Sequence, residues 1–167
     1  MSEKAWVMVV SRENPHDFVI RELRDVPYYM VTFGLYDIVV EVTGKTIEEL
    51  YEHIRKIRVL AGVASATPYL CAKKGKKEAQ RANTCILVDT SPQDVEFCWR
   101  RIQEMNGVLE ADIVFGVFDI VALAHVPTNR MAALLEKIRG IAGIIRIIAM
   151  RKLSDPNELP LAPLLNY

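Results

Sequence analysis

Two short turns carry the side chains best suited to chemistry. Gly34-Leu35-Tyr36-Asp37 and Gly116-Val117-Phe118-Asp119 each set a glycine, an aromatic ring and a carboxylate within four residues. Such a turn can offer backbone amides to a carboxylate, and its own carboxylate to an ammonium group. It also suits a tight hairpin, in which glycine supplies positive φ and aspartate bonds nearby amides. The glycine (34 and 116) and the aspartate (37 and 119) both recur 82 residues on, and Phe33, Ile38 and Val39 recur as Phe115, Ile120 and Val121. A folding unit is therefore duplicated, and its repeated turn is the first place to look for function.

Other reactive side chains give weaker signals. Lys73-Lys74-Gly75-Lys76-Lys77 suits phosphate contact, but a solvated connector explains it without any accompanying aromatic or helical pattern. His16, His53 and His125 fall on different elements and suggest no common ligand set. Cys71, Cys85 and Cys98 are odd in number and lack CxxC or CxxH spacing, so reduced thiols are expected, with no metal and no disulfide framework. Gly-x-Ser-x-Gly elbows and Gly-rich phosphate loops are absent. The hydroxyls of Thr90-Ser91 are better used in starting a helix at Pro92. No catalytic residue and no cofactor follow from these motifs.

The elements that must position the turns can be read along the chain. Ala5–Val10 is a short buried strand. Asn14-Pro15 with Asp17 opens a helix whose inner face is Val19, Leu23 and Val26. Tyr29–Phe33 and Ile38–Val42 form a hairpin about the first turn. Thr46-x-x-Glu49 is a capping box for a helix with Ile47, Leu50, Ile54, Ile57 and Ala61 on one stripe, and Ala64–Leu70 is the last strand. The second copy repeats the order: strand Thr84–Val88, a helix capped at Ser91-Pro92 and Asp94, hairpin strands Ile113–Phe115 and Ile120–Val126, a helix from Thr128, and strand Ile144–Met150. Each copy reads β-α-β-β-α-β, a ferredoxin-like order. The expected division is a first repeat 1–71, a basic linker 72–83, a second repeat 84–151 and a proline-rich apolar arm 152–167. The arm carries Leu159, Leu161, Leu164, Leu165 and Tyr167 among three prolines, and suits extended docking, on its own chain or across an assembly.

Size and composition limit the alternatives. The 167 residues make two units of about 70 to 80, a size at which one core alone is marginal. The units should therefore share an apolar face within one chain, as an α+β pseudo-dimer of the dimeric α/β-barrel kind. With 51% hydrophobic and 25% charged residues the chain reads as globular, and 21 basic against 21 acidic side chains name no polyanionic partner. No apolar run approaches the roughly 18 to 20 residues that span a bilayer and no leader opens the chain, so a cytoplasmic location without membrane contact is expected.

The strand–helix–strand–Gly-x-Tyr-Asp–strand–helix order, ending at Leu60-Ala61-Gly62-Val63 and again at Ala142-Gly143-Ile144, resembles the effector-binding (RAM) domain of Lrp/AsnC regulators. That resemblance covers nearly the whole chain apart from linker and arm. It implies an oligomeric, non-enzymatic protein that binds a small effector, an amino acid, and signals through assembly or a protein partner. Carried over by position, the ligand site would use Gly34, Tyr36, Asp37, Gly116, Phe118 and Asp119. Phe118 stands in place of the motif's tyrosine and lacks its hydroxyl. The first strand starts by Trp6, leaving no space for a helix-turn-helix, so sequence-specific DNA binding is not expected. Two rivals stay open: a cofactor-free enzyme of the dimeric α+β barrel type, and a purely structural assembly protein. The enzyme needs polar groups in a cavity, whereas the strands read as almost wholly apolar.

Overall fold

The computed structural model describes residues 2–12, 16–75 and 81–153. Twelve main elements follow in order: β1 (Glu3–Ser11), α1 (His16–Glu22), β2 (Tyr28–Phe33), β3 (Ile38–Gly44), α2 (Ile47–Arg58), β4 (Val63–Lys73), β5 (Thr84–Thr90), α3 (Val95–Gln103), β6 (Val108–Phe115), β7 (Ile120–Ala124), α4 (Met131–Arg139) and β8 (Ile144–Lys152). The β-α-β-β-α-β order thus occurs twice. The helix opening at Asn14-Pro15, the lysines at 76–77 and the arm from 154 onward lie outside the described residues.

All eight strands close into one barrel in the order β1-β3-β2-β8-β5-β7-β6-β4. The two halves meet where β2 pairs with β8 and β4 pairs with β6, both antiparallel. Closure removes the open edges that two separate sheets would leave unpaired. Halves expected only to face one another are therefore also hydrogen-bonded edge to edge.

Side-chain alternation gives each strand two destinations. From β1, Trp6 and Met8 point into the barrel beside Val39, Tyr69, Leu87 and Met150. Ala5, Val7 and Val9 point outward beneath Leu50, Ile54 and Ile57 of α2. The second half has its own outer core, in which Ile86 and Val88 pack against Cys98, Ile102, Leu134 and Ile138. Central strands buried on both faces need apolar runs, which β1, β5 and β7 show in the sequence; β3 shows one interrupted by the buried Glu41.

Several local expectations hold and others are corrected. Thr46 caps α2, its side chain accepting from the Glu49 amide at 3.1 Å. Leu50, Ile54 and Ile57 are buried, but Ile47 is 54% exposed and does not join their stripe. Ser91 makes no side-chain cap. Pro92–Asp94 form a 3-10 turn that feeds α3, so the helix proper begins at Val95. Likewise Thr128–Arg130 is a 3-10 turn ahead of α4. The strand β6 begins at Val108 rather than at Ile113. Glu110 and Asp112 break its apolar pattern, yet both carboxylates are buried inside the barrel with partners from the first half. Cys71, Cys85 and Cys98 are free thiols, and burial pushes all three up from their ordinary pKa. Among the described residues no helix is long and apolar enough to cross a membrane.

Candidate functional site

The two repeated turns fasten the barrel in the same way. The Ser11 amide donates to Asp37 Oδ2 at 2.7 Å, and the Thr90 amide donates to Asp119 Oδ2 at 2.9 Å. The Asp37 amide donates in turn to the Val9 carbonyl, and the Asp119 amide to the Val88 carbonyl. Each aspartate therefore ties its hairpin to the far end of the first strand of its half, where the strand register shifts between Val10 and Ser11 or between Asp89 and Thr90. Both carboxylates already accept intrachain hydrogen bonds.

The aromatic residues of the turns converge. The Tyr36 hydroxyl lies 3.2 Å from that of Tyr69, and the Tyr69 and Phe118 rings are 6.4 Å apart between centroids. Arg146 stacks over Phe118 at 4.7 Å, a cation–π contact with a ring that is itself buried. The glycines make these approaches possible. A Cβ on Gly34 would meet Met150 Cγ at 3.0 Å, and one on Gly116 would meet Tyr69 Cδ1 at 2.5 Å. Gly116→Ala should therefore destabilise the protein by about 1–3 kcal/mol, because the Tyr69 ring sits in a packed interior with little freedom to retreat. Denaturant unfolding checks this, and unchanged stability would show that the ring yields.

A second polar cluster lies inside the barrel. Lys4 of β1 reaches two carboxylates of β6, Glu110 and, at 2.8 Å, Asp112 Oδ2. Trp6 Nε1 donates to the same Asp112 oxygen at 2.7 Å, and the Gly75 amide donates to Asp112 Oδ1 at 2.8 Å. The Lys4 ammonium also lies 4.5 Å from the centre of the Trp6 ring. Lys4, Glu41, Glu110 and Asp112 are all buried. Burial pushes the Glu110 carboxyl up to about 7, the Lys4 charge pulling against it. Burial acts downward on Lys4, but Asp112 and Glu110 outweigh it and the ammonium is held above its usual range. The sequence reads the strands as almost wholly apolar, and this is corrected: period-two alternation carries these four charged side chains to the interior. Trp6, Met8 and Tyr69 fill the surrounding space.

Open space occurs elsewhere, along α4. A cleft of about 520 Å³ lies between α4, the α3–β6 turn and the segment joining β7 to α4. One side is apolar, from Met105, Val126, Pro127, Ala133 and Leu134, and the polar rim is Asn106, His125, Arg130 and Lys137. That volume and mixture suit a small-molecule site. His125 Nδ1 lies 2.7 Å from the Arg81 carbonyl oxygen. A carbonyl can only accept, so Nδ1 carries a proton, and in the neutral ring Nε2 then holds the lone pair. Gly107 closes the turn below with φ +94°, where a Cβ would meet Val126 Cγ2 at 3.0 Å. None of the turn residues Gly34, Tyr36, Asp37, Gly116, Phe118 or Asp119 lines this cleft. The signal available in the sequence was His125-Val126-Pro127 followed by Arg130 and Lys137 at helical spacing. His53 makes the same kind of contact, its Nδ1 lying 2.7 Å from the Thr43 carbonyl oxygen, but it does not line this cleft. Among the described residues no group of three or more His, Cys, Asp or Glu side chains is placed to hold a metal ion.

Neither a described protein family nor a curated protein matches this sequence. Solved structures do share the fold. The siroheme decarboxylase NirDL, in complex with an iron-uroporphyrin III analogue, superposes with a TM-score of 0.69 over 91% of this chain and 71% of its own, at 9% identity. NirDL without that ligand gives the same TM-score at 8% identity. A chlorite dismutase-like protein matches with a TM-score of 0.54 over 91% of this chain and 95% of its own, at 10% identity. The chain has the fold of the dimeric α+β barrel proteins. Expectation of a non-enzymatic amino-acid sensor related to Lrp/AsnC transcription regulators is corrected by these matches, since solved structures sharing the barrel include a siroheme decarboxylase and a chlorite dismutase-like protein.

Proposed function

We propose that this protein is an enzyme of the dimeric α+β barrel type, built from two ferredoxin-like units, whose substrate is a carboxylate-bearing iron tetrapyrrole. Loss of a carboxyl group is the reaction class. The observation that carries this reading is the α4 cleft, which combines an apolar wall, a basic rim and a histidine with a free Nε2 lone pair. A porphyrin with acidic side chains needs these three features. The wall of Val126, Pro127 and Leu134 suits one face of a macrocycle. Arg130 can fork onto a carboxylate through two hydrogen bonds, and Lys137 adds a point charge about two turns further along the same face. His125, fixed through its Nδ1–H, has the donor and the outer partner that an iron-ligating imidazole requires. The iron tetrapyrrole would bring a Lewis-acidic, redox-capable centre to the cleft. Support from comparison is the fold shared with a siroheme decarboxylase crystallised with an iron-uroporphyrin III analogue.

Titration of the full chain with ferric uroporphyrin, followed by the tetrapyrrole absorbance band, tests the reading. Saturable binding is expected, weakened at least tenfold by His125→Ala and by Arg130→Ala/Lys137→Ala. Mass spectrometry of the reduced, anaerobic mixture should then show loss of carbon dioxide from the bound pigment. Absence of binding, or binding indifferent to all three residues, sinks the proposal; binding without turnover sinks its enzymatic half.

A further inference from the structure

The strand registers identify which residues of the two halves correspond. Ala5 lies opposite Leu70 on one side and Val42 on the other, while Thr84 lies opposite Arg151 and Ala124. Asn83 therefore occupies in the second half the position that Lys4 occupies in the first. The two side chains have taken different tasks. Lys4 turns into the barrel toward Glu110 and Asp112. Asn83 instead takes both backbone groups of Val126: its Nδ2 donates to the Val126 carbonyl at 3.0 Å, and the Val126 amide donates to its Oδ1 at 3.0 Å. Thr84 Oγ1 donates to the same Oδ1, also at 3.0 Å, which fixes the carboxamide's orientation.

The pairing extends the sheet past the end of β7 at Ala124. The Asn83 amide donates to the Ala124 carbonyl at 2.9 Å, and the side chain supplies the next two-bond rung. Two residues earlier, the Arg81 carbonyl accepts from His125 Nδ1, while the His125 amide donates to the Gly107 carbonyl. The segment from His125 to Pro127 is thus gripped from one side by Arg81 and Asn83 and from the other by the Gly107 turn.

We infer that Asn83 is a positioning residue of the α4 cleft, holding the His125–Pro127 segment so that His125 keeps its Nδ1–H on the Arg81 carbonyl and its Nε2 lone pair for the bound group. The inference rests on the tetrapyrrole reading of that cleft. Asn83 does not line the cleft and acts through His125.

Two variants test it in the full chain. Asn83→Ala removes both bonds to Val126, whereas Asn83→Asp keeps the shape and the acceptor but loses the donor. The first measurement is the ring tautomer of His125 in the free protein, read from nitrogen chemical shifts with isotope-labelled histidine. The second is affinity for ferric uroporphyrin. Wild type should show the Nδ1–H tautomer. Asn83→Ala should give a mixture of tautomers and an affinity lower by about tenfold or more, with Asn83→Asp between the two. A folded Asn83→Ala protein with wild-type tautomer and affinity overturns the inference. If Asn83→Ala does not fold, the same two measurements on Asn83→Asp decide, and wild-type values overturn it. Should wild type bind no iron tetrapyrrole, the functional reading fails, while the tautomer shift still decides whether Asn83 positions His125.

Discussion

Replacing Lys4 by methionine is expected to cost about 3–5 kcal/mol of stability, measured by denaturant unfolding. The ammonium is the cation shared by Glu110 and Asp112, both inside the barrel. Removing it leaves two carboxylates out of water without their counter-charge, and a buried charge stripped of its partner costs far more than the pair contributes. The Trp6 indole and the Gly75 amide would still donate to Asp112. Glu110 would lose more, because among the described residues its Oε2 already has no hydrogen-bond partner. Neutralising the whole cluster should reverse most of the loss: Lys4→Met with Glu110→Gln and Asp112→Asn is expected to recover the larger part. A triple variant no more stable than Lys4→Met alone would show that the cost comes from lost packing of the lysine stem.

Stability should fall as pH rises from about 4.5 to about 7, and Glu110→Gln should remove much of that dependence. Burial raises the folded-state pKa of Glu110 from 4.5 to about 7, with the Lys4 charge opposing it. The folded state then holds its proton more tightly than the unfolded chain does. A group with a raised folded pKa contributes stability that is fully present below the unfolded value and lost as pH rises through the folded one. The slope is at most about 1.4 kcal/mol per pH unit for one such group. Lys4 is shifted in the same direction but from 10.5 upward, so its contribution is intact throughout this window. Unfolding curves at several pH values, in wild type and Glu110→Gln, provide the check. A wild-type stability that rises between pH 5 and 7 would mean that Glu110 is held ionised by Lys4.

The sequence revealed the parts of this molecule that are local. The 82-residue recurrence of glycine and aspartate identified the duplicated hairpins, and those residues do the same work in both halves, since Asp37 and Asp119 tie down Ser11 and Thr90. The Thr46 cap was legible because it depends on a residue three positions away. What was missed depends on long separations. Lys4 meets Glu110 and Asp112 across 106 and 108 residues, from strands that are not neighbours in the barrel order. No window of sequence contains both partners, so β6 read as three residues where eight are in strand. Apolar strands also concealed the cleft, because its polar rim comes from a turn and a helix outside the barrel. His125 looked isolated among the histidines since its partner is a backbone carbonyl, Arg81, 44 residues earlier.

The turns drew attention as ligand sites for a sound chemical reason, free amides and a carboxylate at a glycine. In the folded chain both aspartates, through carboxylate and amide, tie their hairpins to the first strand of their half. The open cleft bordered by His125, Arg130 and Lys137 is lined by none of the turn residues.

A crystal structure of the full chain with ferric uroporphyrin tests the central claim most directly. The account predicts the macrocycle in the cleft along α4, with iron within bonding distance of His125 Nε2 and side-chain carboxylates on Arg130 and Lys137. Pigment bound at the Gly34 or Gly116 turn, with the α4 cleft unchanged, would contradict it.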